Sequence, residues 1–325
     1  MVWSALHCRV DQELRGRSLL PPGANLLLAV SGGQDSLCLL KLCVDLQPRW
    51  GWRLGVAHCD HGWPSDGGIA AHVGAIAHQY QLPYYQATAD NLPQTEAAAR
   101  VWRYQALTRI AQAEGYGAIA TGHTQSDRAE TLLLNLIRGA GIEGLGTLPW
   151  QRPLTDTLQL IRPLLTITRP ETGEFCQHHH LPIWEDVLNQ NRHYRRNRLR
   201  LDIFPQLRQE FNPQVDRAMA QTAELLTSDR DYLQAQAAQL WQASYSPDPP
   251  QLARQIIAHS HLALQRRVLR QFCQQHLPRA ITFPQIEALI PLLTAPQRSQ
   301  SSTLSGQFLL RVEGDWLRLV DSKHG

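Results

Sequence analysis

The chain has 325 residues, 43% of them hydrophobic and 18% charged, with a formal net charge of +3. That length suits about two domains, each large enough for its own core, and the composition excludes a disordered or fibrous protein. No charged leader with an apolar stretch opens the chain and no apolar run approaches about 18 residues, so the sequence predicts a cytoplasmic protein without a membrane segment.

The cysteines (Cys8, Cys38, Cys43, Cys59, Cys176 and Cys273) are scattered, with no C-x-x-C pair. This argues against a disulfide framework or a cysteine zinc site and for free thiols. Positive charge is almost wholly arginine, Lys41 and Lys323 being the sole lysines. Net charge alone does not suggest nucleic acid. However, Arg192, Arg195, Arg196, Arg198 and Arg200 crowd one short segment, and guanidinium is a planar, bidentate donor suited to phosphate.

In chain order, an apolar strand over Asn25–Val30 runs into the hexapeptide Ser31-Gly32-Gly33-Gln34-Asp35-Ser36, and helical spacing follows over Asp35–Leu46. Gly32 and Gly33 lack Cβ, so their N–H groups can converge on an anion at the helix N-terminus. No G-x-x-x-x-G-K-[ST] is present, so the loop is not a Walker A motif. Strands recur at Leu54–His58, Tyr84–Thr88 and Ala118–Thr121, alternating with helical patterns at Gly68–Gln81, Thr95–Glu114 and Ser126–Arg138. This alternation predicts an α/β fold, a parallel twisted sheet with helices on both faces. Ligands of such sheets bind at the carboxyl ends of strands, so the Ser31 loop, His58 and Thr121–His123 should face one crevice.

Leu158–Leu165 reads as a further strand or extended segment, and Thr168–His180 and His193–Phe211 as helices. Beyond Asn212-Pro213 the texture changes. A long helix over Gln214–Trp241 meets a break at Ser246–Pro250, and helical stretches follow at about 251–275 and 284–294. Ser302–Val320 alternates with period two around Glu313-Gly314-Asp315, a hairpin signal. The sequence therefore predicts a catalytic domain over 1–212 and a smaller α+β domain over 213–325.

Thr121–Thr131 reads TGHTQSDRAET, which delivers His123 from a strand end and sets Asp127 and Glu130 on one face of a helix N-terminus. Such a pair can hold a metal, a cationic substrate group or both, and it also suits the helix dipole. Glu96, Arg100 and Arg103 share a helix at spacings of four and three, the pattern of surface ion pairs. Arg138–Gly146 is too glycine-rich for a regular helix and reads as a tight loop that a nucleic-acid backbone could approach. His58 and His61 lack a third zinc ligand at recognisable spacing. Asp60 and His61 are expected to contact nucleotide or orient a loop. His178-His179-His180 reads as a solvated helix end.

The SGGQDS loop resembles the pyrophosphate loop of the N-type ATP pyrophosphatases (PP-loop, adenine nucleotide alpha hydrolase-like). With AHCDHG at 57–62, EAAARVWRY at 96–104, TGHTQSDRAET at 121–131, RGAGIEGL at 138–145, RPLL at 162–165 and YRRNRLR at 194–200, the chain is similar to the tRNA(Ile)-lysidine synthetase family over nearly its whole length. The resemblance implies ATP-dependent ligation of L-lysine to C2 of the wobble cytidine of a tRNA(Ile) with a CAU anticodon, through an adenylated base. It implies that Ser31, Gly32, Gly33, Gln34, Asp35 and Ser36 hold the phosphates, with Asp35 also near Mg²⁺. Arg103 and His123 would stabilise charge on the α-phosphate and base oxygen, and Asp127 and Glu130 would receive the lysine ammonium. Arg196 or a neighbour would clamp phosphate or the lysine carboxylate. The smaller domain would assist tRNA binding, and a homodimer is left open.

The chain departs from the family at Trp63-Pro64, where a basic residue is usual, and at Asp186-Val-Leu-Asn189, where an Asp-Pro-(Ser/Thr)-Asn turn is usual. The rival readings are a PP-loop tRNA thiolase, an amidating synthetase like those for GMP or NAD, and a tRNA-binding protein that has lost its chemistry. The missing C-x-x-C argues against the first, the tail and the arginine cluster against the second. The intact Asp35, His123, Asp127 and Glu130 argue against the third.

Overall fold

The computed structural model describes residues 3–63, 67–184 and 191–321, and the chain forms two compact units, Met1–Thr227 and Ser228–Gly325. Pro64 and the Asp186–Asn189 departure lie outside the described residues. In the first unit α1 (Ala5–Gly16) precedes an alternation of β1 (Asn25–Ala29), α2 (Gln34–Trp50), β2 (Arg53–Asp60), α3 (Ile69–Gln79), β3 (Tyr84–Thr88), α4 (Glu96–Ala113), β4 (Ala118–Thr121) and α5 (Gln125–Ile137). A single turn, α6 (Ile142–Leu145), leads into the hairpin β5 (Gln151–Thr155) and β6 (Leu158–Ile161), and α7 (Arg169–His178) follows. A helical run then combines α8 (Arg195–Arg198), a π turn at Leu199–Ile203, α9 (Phe204–Gln206) and a second π turn at Leu207–Phe211.

The sheet order is β3-β2-β1-β4-β6-β5, parallel throughout except for the β5–β6 pair at the edge. Leu26, Leu27 and Leu28 of β1 are almost wholly buried, as a central strand covered on both faces requires. Alternation sends Leu26 and Leu28 into a core with Val10, Leu39, Leu42, Val73 and Phe175. Leu27 faces the opposite core, with Leu107, Ala111, Tyr116 and Leu160. Strand order reverses between β1 and β4, so a crevice opens at their carboxyl ends. Gly122, just after β4, is packed so closely on the next loop that a Cβ there would lie 2.9 Å from the backbone C and O of Asp35.

In the first unit, α1 and β5 were not expected from the sequence. The inner face of α1 carries His7 and Asp11 as well as Val10 and Leu14. Their polar groups are met by Asp45 (3.0 Å from His7 Nε2) and by the Trp50 indole N–H (2.9 Å to Asp11 Oδ1). The half-exposed β5, with Pro153 inside it, is an edge strand whose pattern is too polar to read.

Helix α10 (Val215–Ser244) contains the division between the units. The second unit builds a four-stranded antiparallel sheet, β7-β8-β10-β9, from β7 (Tyr245–Pro247), β8 (Pro250–Ala253), β9 (Phe308–Glu313) and β10 (Trp316–Asp321). Helices α11 (Arg254–Ala258), α12 (Leu262–His276) and α13 (Phe283–Leu289) complete it around Leu252, Phe272, Leu289 and Leu317. The expected 314 hairpin is present, with Gly314 at φ +61°. The stretch read as helix from 251 begins instead as β8, because the 246–250 break is a hairpin turn.

The Gly122 contact yields a test. Gly122→Ala should destabilise the fold by about 1–3 kcal/mol, the usual cost of forcing an extra methyl into a packed site, because backbone rather than a side chain must yield. Urea unfolding of the two proteins side by side measures it.

Candidate active site

A cavity of about 440 Å³ opens where β1 and β4 end. The Ser31–Ser36 loop forms one wall. Gly32 adopts φ +85°, a conformation that glycine reaches without strain, and its carbonyl accepts the Trp184 N–H at 3.0 Å. Ser36 Oγ donates to the Gly33 carbonyl (2.8 Å) and accepts from the Ser31 N–H (3.2 Å), cinching the loop over the first turn of α2. Gln34 Nε2 donates away from the crevice, to the Arg169 carbonyl (2.7 Å) and to Thr172 Oγ1 (3.0 Å), and so ties the loop to α7. Asp35 accepts from Arg169 Nη1 at 3.0 Å and from the Thr172 hydroxyl. Burial raises the Asp35 carboxyl above its usual range, against the pull of Arg169.

The facing wall begins with Asp127 and Glu130 on α5. Asp127 Oδ2 closes a capping box, accepting from the Thr124 N–H and hydroxyl at 2.8 Å each. Its Oδ1 accepts from Arg196 Nη2 at 2.8 Å. Glu130, 3% exposed, accepts from Arg196 Nε (2.9 Å), Arg200 Nε (2.7 Å) and Arg200 Nη2 (2.8 Å). Burial would raise Asp127, but Arg196, His123, Arg200 and the Thr124 amide hold it at about 2. Arg196 and Arg200 are one helical turn apart, so both reach the same carboxylates.

His123 Nδ1 lies 2.8 Å from Thr121 Oγ1. Burial, reinforced by Arg162, Arg103 and Arg196 and opposed by Asp127, pushes its pKa well below the ordinary value, so the ring is neutral at pH 7. Arg103 lines the cavity with Arg100. The ion pairs expected among Glu96, Arg100 and Arg103 are not formed. Both arginines stack on Tyr104, while Glu96 lies 4.0 Å from Arg196.

The crevice thus gathers Ser31, Gly33, Gln34, Asp35, Ser36, Arg103, His123, Asp127 and Arg196 along its lining. Glu130 stands behind Asp127, reached through the two arginines. His58 does not face it: its Nδ1 donates to the Val30 carbonyl at 2.9 Å in the core. Asp60 Oδ1 accepts the Gly62 N–H at 2.8 Å, and His61 stacks on Trp63 at 4.7 Å while lining the cavity. His179 packs on Phe175 at 4.3 Å, and its two histidine neighbours are exposed. Among the described residues no three His, Cys, Asp or Glu side chains cluster as a metal site. The Arg138–Gly146 loop closes through one helical turn, with Asn135 Nδ2 donating to the Gly144 carbonyl at 2.7 Å. Sequence reasoning missed Arg169 and Thr172 as site residues, and it left open which neighbour of Arg196 joins it, a place that Arg200 takes. The Thr168-x-x-Glu171 capping box marks the start of α7, but nothing local shows that this start meets Asp35.

Residues 9–207 match the PP-loop domain family. The chain is 51% identical to the tRNA(Ile)-lysidine synthase of Synechocystis sp., covering 98% of this chain and 99% of that one. It is 50% identical to that of Nostoc sp., covering 98% of each. It is 34% identical to the chloroplastic tRNA(Ile)-lysidine synthase of Zygnema circumcarinatum, over 86% of this chain and 77% of that one. Among solved structures, the U34-tRNA thiolase NcsA from Methanococcus maripaludis shares the fold, with a TM-score of 0.59 at 20% identity over 69% of this chain and 78% of that one. Among the described residues no helix is long and apolar enough to cross a membrane.

The buried ion cluster sets stability. Removing one partner of a buried pair strands charge, so Arg196→Ala should cost about 3 kcal/mol, the low end of the range because Arg200 remains. The Asp127 pKa is depressed from 3.8 to about 2, so its contribution is full above the higher value and is lost as pH falls through the lower one. Urea titrations at neutral pH and at pH values spanning that window should show a smaller acid loss in Arg196→Ala than in wild type.

Proposed function

The chain belongs to the tRNA(Ile)-lysidine synthase family and carries its PP-loop domain, and on that premise we propose that its cavity joins L-lysine to C2 of the wobble cytidine of a tRNA(Ile) with a CAU anticodon. The enzyme is a ligase. One observation carries the reading: a single cavity is lined both by the Ser31–Ser36 loop and by Arg103, His123, Asp127 and Arg196. ATP and the group that receives its adenylate therefore meet in one place.

In the first step the C2 oxygen attacks the α-phosphorus, the α–β bridge breaks and pyrophosphate leaves. The Ser31–Ser36 amides at the N-terminus of α2 hold the leaving phosphates, and Arg103 stabilises charge growing on the α-phosphate. In the second step the lysine ε-amine attacks C2, the C2–O bond breaks, AMP leaves and the amine loses a proton. His123, neutral in its buried setting and with Nδ1 on Thr121, keeps Nε2 for the reacting centre; with Nδ1–H donating to Thr121 Oγ1, Nε2 is the bare nitrogen able to take up that proton.

Asp127 and Glu130 face a constraint of charge. Two carboxylates already balance two guanidinium groups, so an arriving ammonium binds well when one arginine turns toward an anion. Arg196, with side chain 22% exposed, is the group placed to turn, toward the lysine carboxylate or a phosphate. Mg²⁺ fits the chain through Asp35, an oxygen donor beside the phosphate loop, because this ion commonly takes one or two carboxylates and leaves its other positions to phosphate and water. When bound it would neutralise charge on the triphosphate.

Sulfur transfer is the weaker reading. Cys59 lines the cavity, but burial pushes its thiol up to about 11, and the other cysteines form no cluster with it.

Purified protein with ATP, radiolabelled lysine and tRNA transcripts should label the CAU-bearing tRNA(Ile) alone and release AMP and pyrophosphate. Incorporation that ignores the anticodon, or that needs a sulfur donor instead of lysine, would sink the reading. Glu130→Gln keeps the volume but leaves the ammonium poorly paired. It should slow lysine transfer by about a hundredfold while tRNA-dependent pyrophosphate release continues.

A further inference from the structure

Four guanidinium groups converge on one ring of α4. Arg100 lies one turn before Tyr104 and Arg103 directly precedes it. Their guanidinium carbons sit 5.2 and 5.7 Å from the ring centroid. Arg152, on the edge strand β5, closes over the same ring at 4.9 Å. Arg162, 1% exposed at the end of β6, donates Nη1 to the Pro149 carbonyl at 2.6 Å. Its Nε is buried without a hydrogen-bond partner, and its guanidinium lies beside the Tyr104 hydroxyl and lowers its pKa. Among the described residues none of the four arginines has a carboxylate within ion-pair distance, in contrast to Arg196 and Arg200 close by.

The field of this group is strong. Burial raises the Tyr104 hydroxyl, yet Arg100, Arg162 and Arg103 more than offset it and bring the pKa below the ordinary value. Burial likewise lowers Arg162, to about 10. Cations desolvated and crowded together without protein anions are a standing attraction for an anionic ligand. The ATP phosphates have their own cradle in the Ser31–Ser36 loop. The arginine group instead runs as a strip, from Arg100 and Arg103 on the cavity wall to Arg152 on an edge strand outside the cavity lining. A strip that leaves the cavity suits a chain passing through, not a ligand enclosed.

We propose that Tyr104 is a stacking plate that positions Arg100 and Arg152 to hold a phosphodiester of the RNA next to the target nucleotide, while Arg103, on the same ring, stays with the α-phosphate. This rests on the reading of the cavity as a tRNA-modifying site. Arginine stacks on an aromatic face while keeping its in-plane N–H donors free, so one ring fixes three guanidinium groups and leaves their edges for phosphate oxygens. Arg152 and Tyr104 are thus positioning and affinity residues, apart from the groups that touch the reacting atoms.

The test is equilibrium binding of an unmodified tRNA(Ile) CAU transcript, without ATP or lysine, across about 50–200 mM salt. Arg152→Gln should weaken binding about tenfold, as loss of one charge-assisted contact does. It should also reduce the slope of log K against log salt by about 0.7, with KM for ATP unchanged. Tyr104→Leu should show the same loss, and Tyr104→Phe should regain most of it, since the ring is the plate. An unchanged slope and affinity in both Arg152→Gln and Tyr104→Leu would overturn the proposal. A raised KM for ATP with normal tRNA binding would do the same and assign the cluster to the triphosphate. If the wild-type protein binds this transcript with the expected slopes but forms no lysidine, the function proposed above fails while the phosphate subsite stands.

Discussion

Two carboxylates in a buried wall, Asp127 and Glu130, call for cations beside them, and among the described residues α5 itself supplies none that reach them. The charge comes from some seventy residues later, where Arg196 and Arg200 bind both carboxylates. That demand brings the 195–211 run back against α5, and the packing of Leu199 and Phe204 on Ala129 and Leu133 fixes it there. Asp127 also caps α5 through Thr124, so one carboxylate joins the end of β4, the start of α5 and the returning segment. The two π turns in that segment widen a helix that must serve a site as well as a core.

With this quartet near neutral, the remaining cavity charge divides cleanly. The Ser31–Ser36 loop offers amides, Arg169 leans on Asp35, and Arg100 and Arg103, with no carboxylate at ion-pair distance among the described residues, stack on Tyr104. In the proposed reaction anions are met on the loop and α4 sides and a cation on the α5 side, so the site would discriminate parts of its substrates by place. The tight backbone contact at Gly122 keeps the two sides at fixed separation, because neither loop can move without lifting the other.

The strands of the parallel sheet were legible because β1, β2 and β4 are buried on both faces and read as apolar runs between helical periods; β3 and β4 fall where the pattern put them. The SGGQDS turn and the Asp127–Glu130 spacing were legible for the same reason, as local geometry with local chemistry. What escaped was set by contacts distant in sequence. The α1 helix buries His7 and Asp11 because Asp45 and Trp50 wait for them, and no pattern within residues 5–16 says so. Arg169 reads as the second residue of a capped helix and becomes a site residue through Asp35, far earlier in the chain. By spacing alone Arg100 and Arg103 read as halves of surface ion pairs, and nothing in the pattern singles out Tyr104. Their meaning depends on Arg152 and Arg162, which arrive from the β5–β6 hairpin.

His123 shows why these long-range charges matter to chemistry. A protonated imidazole here would add a fourth cation to a wall already crowded by Arg103, Arg162 and Arg196, and it would repel an approaching ammonium. Burial and those arginines together keep the ring neutral, with Asp127 alone pulling the other way. In the proposed reaction the first step builds negative charge, which Arg103 can meet, and the second releases a proton, which a neutral ring can take. In that reaction the same arginine field therefore serves both steps, by stabilising anions directly and by keeping the His123 imidazole beside it uncharged.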